Sequence, residues 1–594
     1  MALNEYYQDR VSQYRQKAER LQRKEDRLSM GRLVSFVLIF VLFFALYSLS
    51  VTWAVTASLA CIITFGFLIK QYAETEKLKE YYNHLVEINT LELKSLSGDI
   101  SGFNDGHEYV DRDHPNSYDL DLFGHASVFQ YVNRTSSQPG AQMLAQWLIA
   151  PANPGEINER QLAVEELKPE IDWRQKLMTT GYFSRPSLDN PGELLSWMRR
   201  VNEFLNIRRL KYITLALSIL TILLTFLVIT GTPPVVLLLD FIINFIFYFS
   251  QSRKINRLHQ QVSKSADLLQ TYADIIGLIE AKKFNTLKLN VLQQIFRSQP
   301  TASSAIKRLS QLVSRLDARL NIMVSIPLNL YFFWDIHVSL ALEKWKKQHA
   351  GDIELWLDAM AEFEVLTSMA NMAFNNPAWV LPEIVPGYFT LKAGNTGHPL
   401  IPENRRILND IEISQGGKIV VVTGSNMSGK STFLRTCGVN AVLAMAGAPV
   451  CASSFMISHV QVYSSMRISD SLEDNTSSFY AELKRLAAII KQAEQDPKIF
   501  LLLDEILRGT NSNDRFTGSV ALIKQLAGYG TAAVVATHDL KLAELEKDLP
   551  GKIDNYHFDV KVDGEELYFD YKLTPGVCTS LNASILMKKM GIRV

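Results

Sequence analysis

Apolar residues are spread unevenly along this chain, and their spacing predicts where helices, spans and strands fall. From Leu33 to Ile69 no residue is charged. A membrane helix needs roughly 20 apolar residues, so this run is too long for one crossing and just long enough for two short ones. Ser48, Ser50 and Thr52 sit at its middle, where a turn would go. A second stretch, Tyr212 to Ser250, breaks at Thr230-Gly231-Thr232-Pro233-Pro234; Gly and a Pro pair end helices and mark a loop. Both stretches are predicted to be transmembrane helical hairpins, at 33–69 and 212–250. For the second, the competing reading is two buried soluble helices. Asp240 and Asn244 lie one helical turn apart in its second half. An ionisable residue in a span is costly, which predicts that this face meets another helix. A third patch, Ile322 to Trp334, contains Pro327 and stops at Asp335. It is too short to span and is predicted to be a core helix.

Between these stretches the pattern is amphipathic. Residues 1–32 place Val11, Tyr14, Ala18, Leu21 and Leu28 at helical spacing among charges, as a basic helix with a solvated face does. Residues 70–114 read as helix and linker, with Gly, Asp, Asn and His concentrated over 100–120. Helical spacing resumes from 115 to 375, as in Leu258, Val262, Ala266, Leu269 and Tyr272. From about residue 385 short β-rich runs alternate with helices: Lys418 to Thr423, Ile499 to Leu503, Thr531 to Ala536. That alternation predicts a mostly parallel sheet covered by helices over 385–594. Tyr556 to Leu573 alternates around Asp563-Gly564, as an antiparallel hairpin does.

Charge adds orientation. The chain of 594 residues balances 61 basic against 61 acidic side chains, so no overall basic coat for nucleic acid exists. Arg and Lys nevertheless crowd the hairpins. Arg20, Arg23, Lys24, Arg27 and Arg32 precede the first and Lys70 follows it; Arg208, Arg209 and Lys211 precede the second and Arg253, Lys254 and Arg257 follow it. Neither loop between spans is charged. By the positive-inside rule both hairpins dip outward and return. The expectation is a multi-pass protein of the cell (inner) membrane with its remaining domains in the cytoplasm. Cys61, Cys437, Cys451 and Cys578 form no C-x-x-C pair, which argues against a disulfide framework or a zinc site.

Chemistry concentrates at three strand ends. Ile419-Val420-Val421-Val422 runs into Gly424, Ser425, Asn426, Met427, Ser428, Gly429, Lys430, Ser431 and Thr432. This is the G-x-x-x-x-G-K-S phosphate loop, between a strand and a helix as it requires. Its N–H groups and the helix N-terminus face phosphates; Lys430 would reach the β- and γ-phosphates of ATP and Ser431 would bind Mg²⁺. Ile499 to Leu503 ends in Asp504 and Glu505. Asp504 would hold Mg²⁺ and Glu505 would act as base or positioner for the attacking water; the bland alternative is a solvated strand end. Ala533 to Ala536 ends in Thr537-His538-Asp539, where His538 would sense the γ-phosphate or orient the water, or be structural. These motifs predict an α/β P-loop NTPase domain behind an all-α region.

Several longer strings carry a resemblance: His398-Pro399-Leu400, Thr423 through Thr432, Asp504-Glu505-Ile506-Leu507-Arg508-Gly509-Thr510, Ala536-Thr537-His538, and Tyr571-Lys572-Leu573-Thr574-Pro575-Gly576. Together they resemble the MutS family of DNA mismatch-repair ATPases. Ser477-Ser478-Phe479-Tyr480-Ala481-Glu482 and Asn133-Arg134-Thr135-Ser136-Ser137-Gln138-Pro139-Gly140 extend the likeness. The resemblance implies an ATPase domain over 385–594 and a helical core and lever over 115–375 with the second hairpin inserted. It also implies a homodimer with composite ATP sites, where Ser477 completes the partner's pocket, and a DNA partner, mismatched or branched. The bland reading of Ser477 is a helix N-cap. The first 114 residues leave no room for the family's mismatch-reading and connector domains, and no Phe-x-Glu wedge precedes the core. Ser425 and Ser428 stand where the family often has Pro and Gly; both are small, so the phosphate cradle is expected to survive. The alternative function is a membrane ATPase acting on a protein or lipid partner. A transport ATPase is disfavoured because the L-S-G-G-Q signature is absent.

Overall fold

A strand with no polar face needs cover on both sides, and Ile419–Val422, Phe500–Leu503 and Ala533–Ala536 are all of that kind. In the computed structural model these runs lie together in one sheet. The structure describes residues 3–182, 192–200, 207–263, 265–414, 417–425, 427–467, 478–496, 498–563 and 566–578. All described elements before residue 383 are helical, and the sheets follow. The strands are β1 (Glu383–Val385), β2 (Leu391–Thr396), β3 (Asn409–Ile413), β4 (Ile419–Gly424), β5 (Ser454–Ser458), β6 (Gln461–Ser465), β7 (Ile499–Asp504), β8 (Ala532–Thr537), β9 (Ile553–Asp563) and β10 (Glu566–Pro575).

The larger sheet has the order β10-β9-β4-β8-β7-β6. It is parallel from β9 to β6, and β10 pairs antiparallel with β9. The expected turn residue Gly564 of that last hairpin lies outside the described residues. One face packs Leu501, Leu503 and Val535 against Leu486 and Ile489 of helix Ser478–Gln495 and Ile523 and Leu526 of helix Ser512–Tyr529. Leu502 points the other way, onto Gly438 of helix Lys430–Ala446. A Cβ on Gly438 would lie 2.6 Å from the δ-methyls of both Leu502 and Leu120, so a larger residue would have to push both leucines aside. The second sheet, β1-β5-β2-β3, is mixed. It was not foreseen: β1 has three residues, and β2 carries Gly394 and Asn395, both poor strand formers.

The chain packs as two compact units. One comprises Met1–Asn133, Ala145–Gln175 and Met369–Val594, and the other Arg134–Leu144 and Lys176–Ser368. In the first unit the expected basic helix, hairpin and following helix are only two helices, Leu3–Tyr47 and Val51–Leu96, turning at Ser48-Leu49. The step from Arg32 to Leu33 changes the surface from polar to apolar with no proline, and a lone Gly31 is tolerated within a helix, so the backbone runs on. These two helices are clamped at their polar ends. Tyr7 Oη donates to Asn375 Oδ1 (2.6 Å), and Asn375 and Asn371 donate to the two oxygens of Glu92 (2.8 and 3.0 Å).

The 100–120 stretch is rich in turns, as its composition suggests, yet it is firmly held. Asn116 Nδ2 donates to the Val462 carbonyl (2.6 Å). Asp119 is fully buried beside β6 and accepts from Ser464 Oγ (2.8 Å), the Met466 and Arg467 amides (both 3.1 Å) and Arg485 Nη2 (2.8 Å).

In the second unit, helices Ile207–Ile229 and Val235–Val262 form the other hairpin. Asp240 does face a neighbouring helix: Thr221 Oγ1 donates to Asp240 Oδ2 (2.8 Å). The Ser136-Ser137 pair also gains a role. The Ser136 amide and hydroxyl donate to Glu364 Oε1 (2.9 and 2.5 Å), and the Ser137 hydroxyl donates to the other oxygen. Burial pushes the Glu364 carboxyl above its ordinary range, and these serines oppose the shift. One expectation fails. Helix Ile322–Phe332 is not a core helix, because Asn329 is its only buried residue. Apart from Ser325 and Asn329 it is apolar, and length alone does not reveal what covers it. Helices Leu3–Tyr47, Val51–Leu96, Ile207–Ile229 and Val235–Val262 are long and apolar enough to cross a membrane.

Removing the Asp119 carboxylate takes the acceptor from the Met466 and Arg467 amides, while Arg485 keeps the Ser464 carbonyl (2.9 Å). Asp119→Ala is expected to cost about 1–3 kcal/mol, and Asp119→Asn, which keeps an acceptor, markedly less. Hydrogen exchange of the β6 and 111–121 amides in the full-length protein checks both.

Candidate active site

Parallel strands bring their carboxyl ends to one rim of the sheet. Thr423 at the end of β4 pairs with Thr537 of β8, and Asp504 of β7 pairs with Ala536. The three sequence motifs therefore leave the sheet side by side. From β4 the chain turns through Gly424–Gly429 into helix Lys430–Ala446. Gly424 and Gly429 have φ of 151° and 103°, values that L side chains rarely adopt. A Cβ at Gly424 would also sit 2.9 Å from Ser428 Oγ. Met427, at φ 68°, takes the left-handed region without being glycine, and its side chain points to solvent. Asn426 lies outside the described residues. The Ser425 and Ser428 hydroxyls are buried with no hydrogen-bond partner among the described residues.

Lys430 Nζ folds back on the loop, donating to the Gly424 and Ser425 carbonyls (2.8 and 2.7 Å). Burial lowers its pKa below the usual lysine value, opposed by Glu505 and Asp504. Ser431 Oγ donates to Asp504 Oδ2 at 2.6 Å. Asp504 Oδ1 is buried with no partner among the described residues. Burial pushes the Asp504 carboxyl up, and the Ser431 hydrogen bond and the Arg508 charge oppose it. Thr432 lies on the cleft wall.

Glu505 begins the loop after β7 at φ 48°, with its N–H donating to the Ala536 carbonyl (2.9 Å). Its carboxylate lies 3.3 Å from Arg508 Nε and 3.7 Å from His538 Nδ1. Leu507 is also left-handed, at φ 61°. Each such residue costs roughly 1–2 kcal/mol, so the loop needs a brace. Glu482 of helix Ser478–Gln495 supplies it, accepting from the Leu507 amide at 2.5 Å with the Arg508 and Gly509 amides also facing it. Burial pushes the Glu482 carboxyl up and these amides draw it back. Phe479 closes on Gly509, where a Cβ would lie 2.6 Å from the Phe479 Cβ. Ser477, just ahead of this helix, lies outside the described residues.

A cleft of about 640 Å³ opens over the loop, lined by Lys430, Glu505 and Arg508 on one side and His398, Asn409 and Tyr571 on the other. Its volume suits a small-molecule ligand. The His398 pKa is pushed down to about 4, by burial first and by Arg435 next, so its ring is neutral at physiological pH. Among the described residues no group of three or more His, Cys, Asp or Glu converges on a metal position. The Ser431–Asp504 oxygen pair instead suits a hard cation that keeps most of its waters.

Comparison with known proteins matches residues 420–590 to the family model MutS domain V. This region is MutS-like. A DNA mismatch repair protein MutS of Fusobacterium nucleatum is 32% identical over 237 residues, which is 39% of this chain and 26% of the relative. That of Caldicellulosiruptor bescii is 32% identical over 230 residues, 37% and 26%. That of Ehrlichia chaffeensis is 31% identical over 289 residues, 48% and 34%. The chain thus matches between a quarter and a third of the length of these relatives, and the likeness supports the MutS family over the C-terminal region.

The MutS-like region brings Lys430, Ser431, Asp504, Glu505 and His538 to one rim. Sequence reading gave no role to Arg508, Glu482, His398 or Tyr571, although each belongs to one of the strings that carry the family resemblance; their roles depend on contacts between segments far apart in sequence. Glu482→Ala should unpair the buried Leu507 amide at about 1–3 kcal/mol and strip hydrogen-exchange protection from residues 507–509. Glu482→Gln, which keeps an acceptor, should restore most of that protection.

Proposed function

We propose that this chain is a membrane-tethered MutS-like ATPase that binds ATP with Mg²⁺, hydrolyses it, and acts on DNA as a homodimer. The observation that carries the ATPase reading is the Ser431–Asp504 contact at 2.6 Å, with Asp504 Oδ1 buried and unpartnered among the described residues beside it. Ser431 and Asp504 would hold the magnesium ion, which when bound neutralises charge on the phosphates. Lys430, now on loop carbonyls, exchanges those acceptors for phosphate oxygens. The Gly424–Gly429 backbone and the helix N-terminus orient the phosphates. Glu505 aligns the attacking water and takes its proton, steered by His538, while Arg508 lies 3.6 Å from Asp504 and offers charge to the departing phosphate.

The membrane reading is supported by four long apolar helices whose apolar side chains face outward, a surface that water does not tolerate at this extent. The arginines and lysines flanking both hairpins support a cytoplasmic position for the MutS-like region. The dimer with composite sites, Ser477 reaching the partner's nucleotide, rests on the family resemblance, as does DNA. The second reading, an ATPase acting on a protein or lipid, is favoured by the same apolar helices.

In detergent, Glu505→Gln is expected to bind ATP but turn over at least about a hundredfold more slowly, and Lys430→Ala to lose nucleotide binding itself. Isothermal binding and phosphate release measure both; wild-type turnover in Glu505→Gln would remove Glu505 from its role. Duplex and branched DNA binding across a salt series separates the two readings. Phosphate contacts give log K falling against log salt by about 0.9 per contact, and an affinity indifferent to salt or absent altogether favours the protein or lipid partner.

A further inference from the structure

Helix Ile322–Phe332 has no part in the site, yet Ile322, Met323 and Ile326 are 70%, 89% and 55% exposed. Its course can be followed along helix Val235–Val262 of the same unit. Just before it, Arg319 Nη2 donates to Asn256 Oδ1 (2.5 Å), within the charged segment Arg253–Arg257. At its far end the Tyr331 ring meets Phe241 edge-on at 5.3 Å, and the Leu330 carbonyl accepts from Asn244 Nδ2 (3.1 Å). Phe333 then takes φ 47° and the chain turns back. The Phe333 ring lies 5.7 Å from Phe247, and Asp335 accepts from Tyr248 Oη (2.8 Å) and lies 3.6 Å from Arg319. Contacts run from residue 256 down to 241 and return to 248. At 1.5 Å per residue that is a descent of roughly 20 Å and a return of about 10 Å.

We propose that Ile322–Phe332 and the turn at Phe333 form a re-entrant membrane element, entering the bilayer beside the second hairpin from its charged side and leaving on that same side. The inference rests on the membrane reading of that hairpin. The occupant of the exposed face is lipid hydrocarbon, because that face continues the outward apolar surface of helices Ile207–Ile229 and Val235–Val262, to which this helix is packed. A second observation points the same way. The last carbonyls of a helix have no partner within it, and hydrocarbon supplies none, so non-helical backbone at depth survives only where protein satisfies it. Leu330 is one of those last carbonyls, and it is served by Asn244. The same Nδ2 donates on its other side toward Thr221 Oγ1 (2.9 Å) and Asp240 Oδ2 (3.2 Å), which share its second hydrogen and fix the amide. Just past the turn, the Asp335 amide donates back to Asn329 Oδ1 (2.9 Å). Asn244, held in place by Asp240 one turn before it, thereby caps a helix that ends inside the membrane.

The test uses full-length protein in lipid nanodiscs, with a fluorescent amino acid placed singly at Ile326, at Phe245 in the span, or at Leu287 in helix Leu287–Phe296. Quenching is read with lipids spin-labelled in the acyl chain. Emission should be lost at Phe245 and Ile326 and kept at Leu287. Loss at Phe245 with none at Ile326 overturns the re-entrant element and leaves the membrane reading standing. Loss at neither overturns the membrane reading itself. Asn244→Leu keeps the span apolar but leaves the Leu330 carbonyl unpaired, so quenching at Ile326 should weaken while that at Phe245 persists. Undiminished quenching at Ile326 in this variant would remove Asn244 from the capping role.

Discussion

The direction of a parallel sheet decides where chemistry can go. Strands buried on both faces have no place for a carboxylate along their length, so an acid must wait for the rim. In β7 that position is Asp504, and its neighbours in register deliver Thr423 and Thr537 to the same rim. Everything else at the site follows from that edge. Ser431 stands one residue into a helix that starts there, close enough to donate to Asp504. Glu505 comes next and must bend out of the sheet at once, which forces its left-handed backbone. The strain at Glu505 and Leu507 is offset by Glu482, reaching in from a helix that covers the sheet. Cover, rim and brace are one arrangement.

Charges buried elsewhere obey the same rule of local satisfaction by different means. Asp119 gathers amides, a hydroxyl and a guanidinium around β6. Glu364 collects two consecutive serines at the start of a helix. Asp240 has a threonine and an asparagine one turn away. In each case at least one donor comes from a segment the chain must bring back, so each carboxylate fixes a register between segments as well as a local bond.

What could be read from the sequence depended on the range of the physics involved. The phosphate-loop string and the acids at a strand end are local, and so were legible as Lys430, Ser431, Asp504 and Glu505. The length of the apolar runs is also local, and so were the four long apolar helices. Contacts across the fold were not legible. Nothing near Glu482 announces that it braces residues 507–509, and nothing near Asp119 announces β6. The second sheet escaped because a three-residue β1 has no periodicity to detect. Ile322–Phe332 was misassigned because shortness excludes a full crossing without distinguishing a core helix from one that faces outward. Asn426 and Ser477, two of the nucleotide-binding expectations, fall outside the described residues.

The two N-terminal helices have a mechanical consequence. Each runs without a break for 45 or 46 residues, about 68 Å of continuous hydrogen-bonded backbone at 1.5 Å per residue. Their polar ends are clamped together through Tyr7, Glu92, Asn371 and Asn375, and the tight turn at Ser48-Leu49 ties the other ends. A pair of stiff rods joined at both ends resists bending as a girder does, so angular error at the clamp is not dissipated along the way. A tilt of only about 3° there displaces the far tip by roughly 3–4 Å over that length. The hairpin therefore amplifies angle into distance, and its tip is the most sensitive gauge of small rearrangements at the four clamping residues.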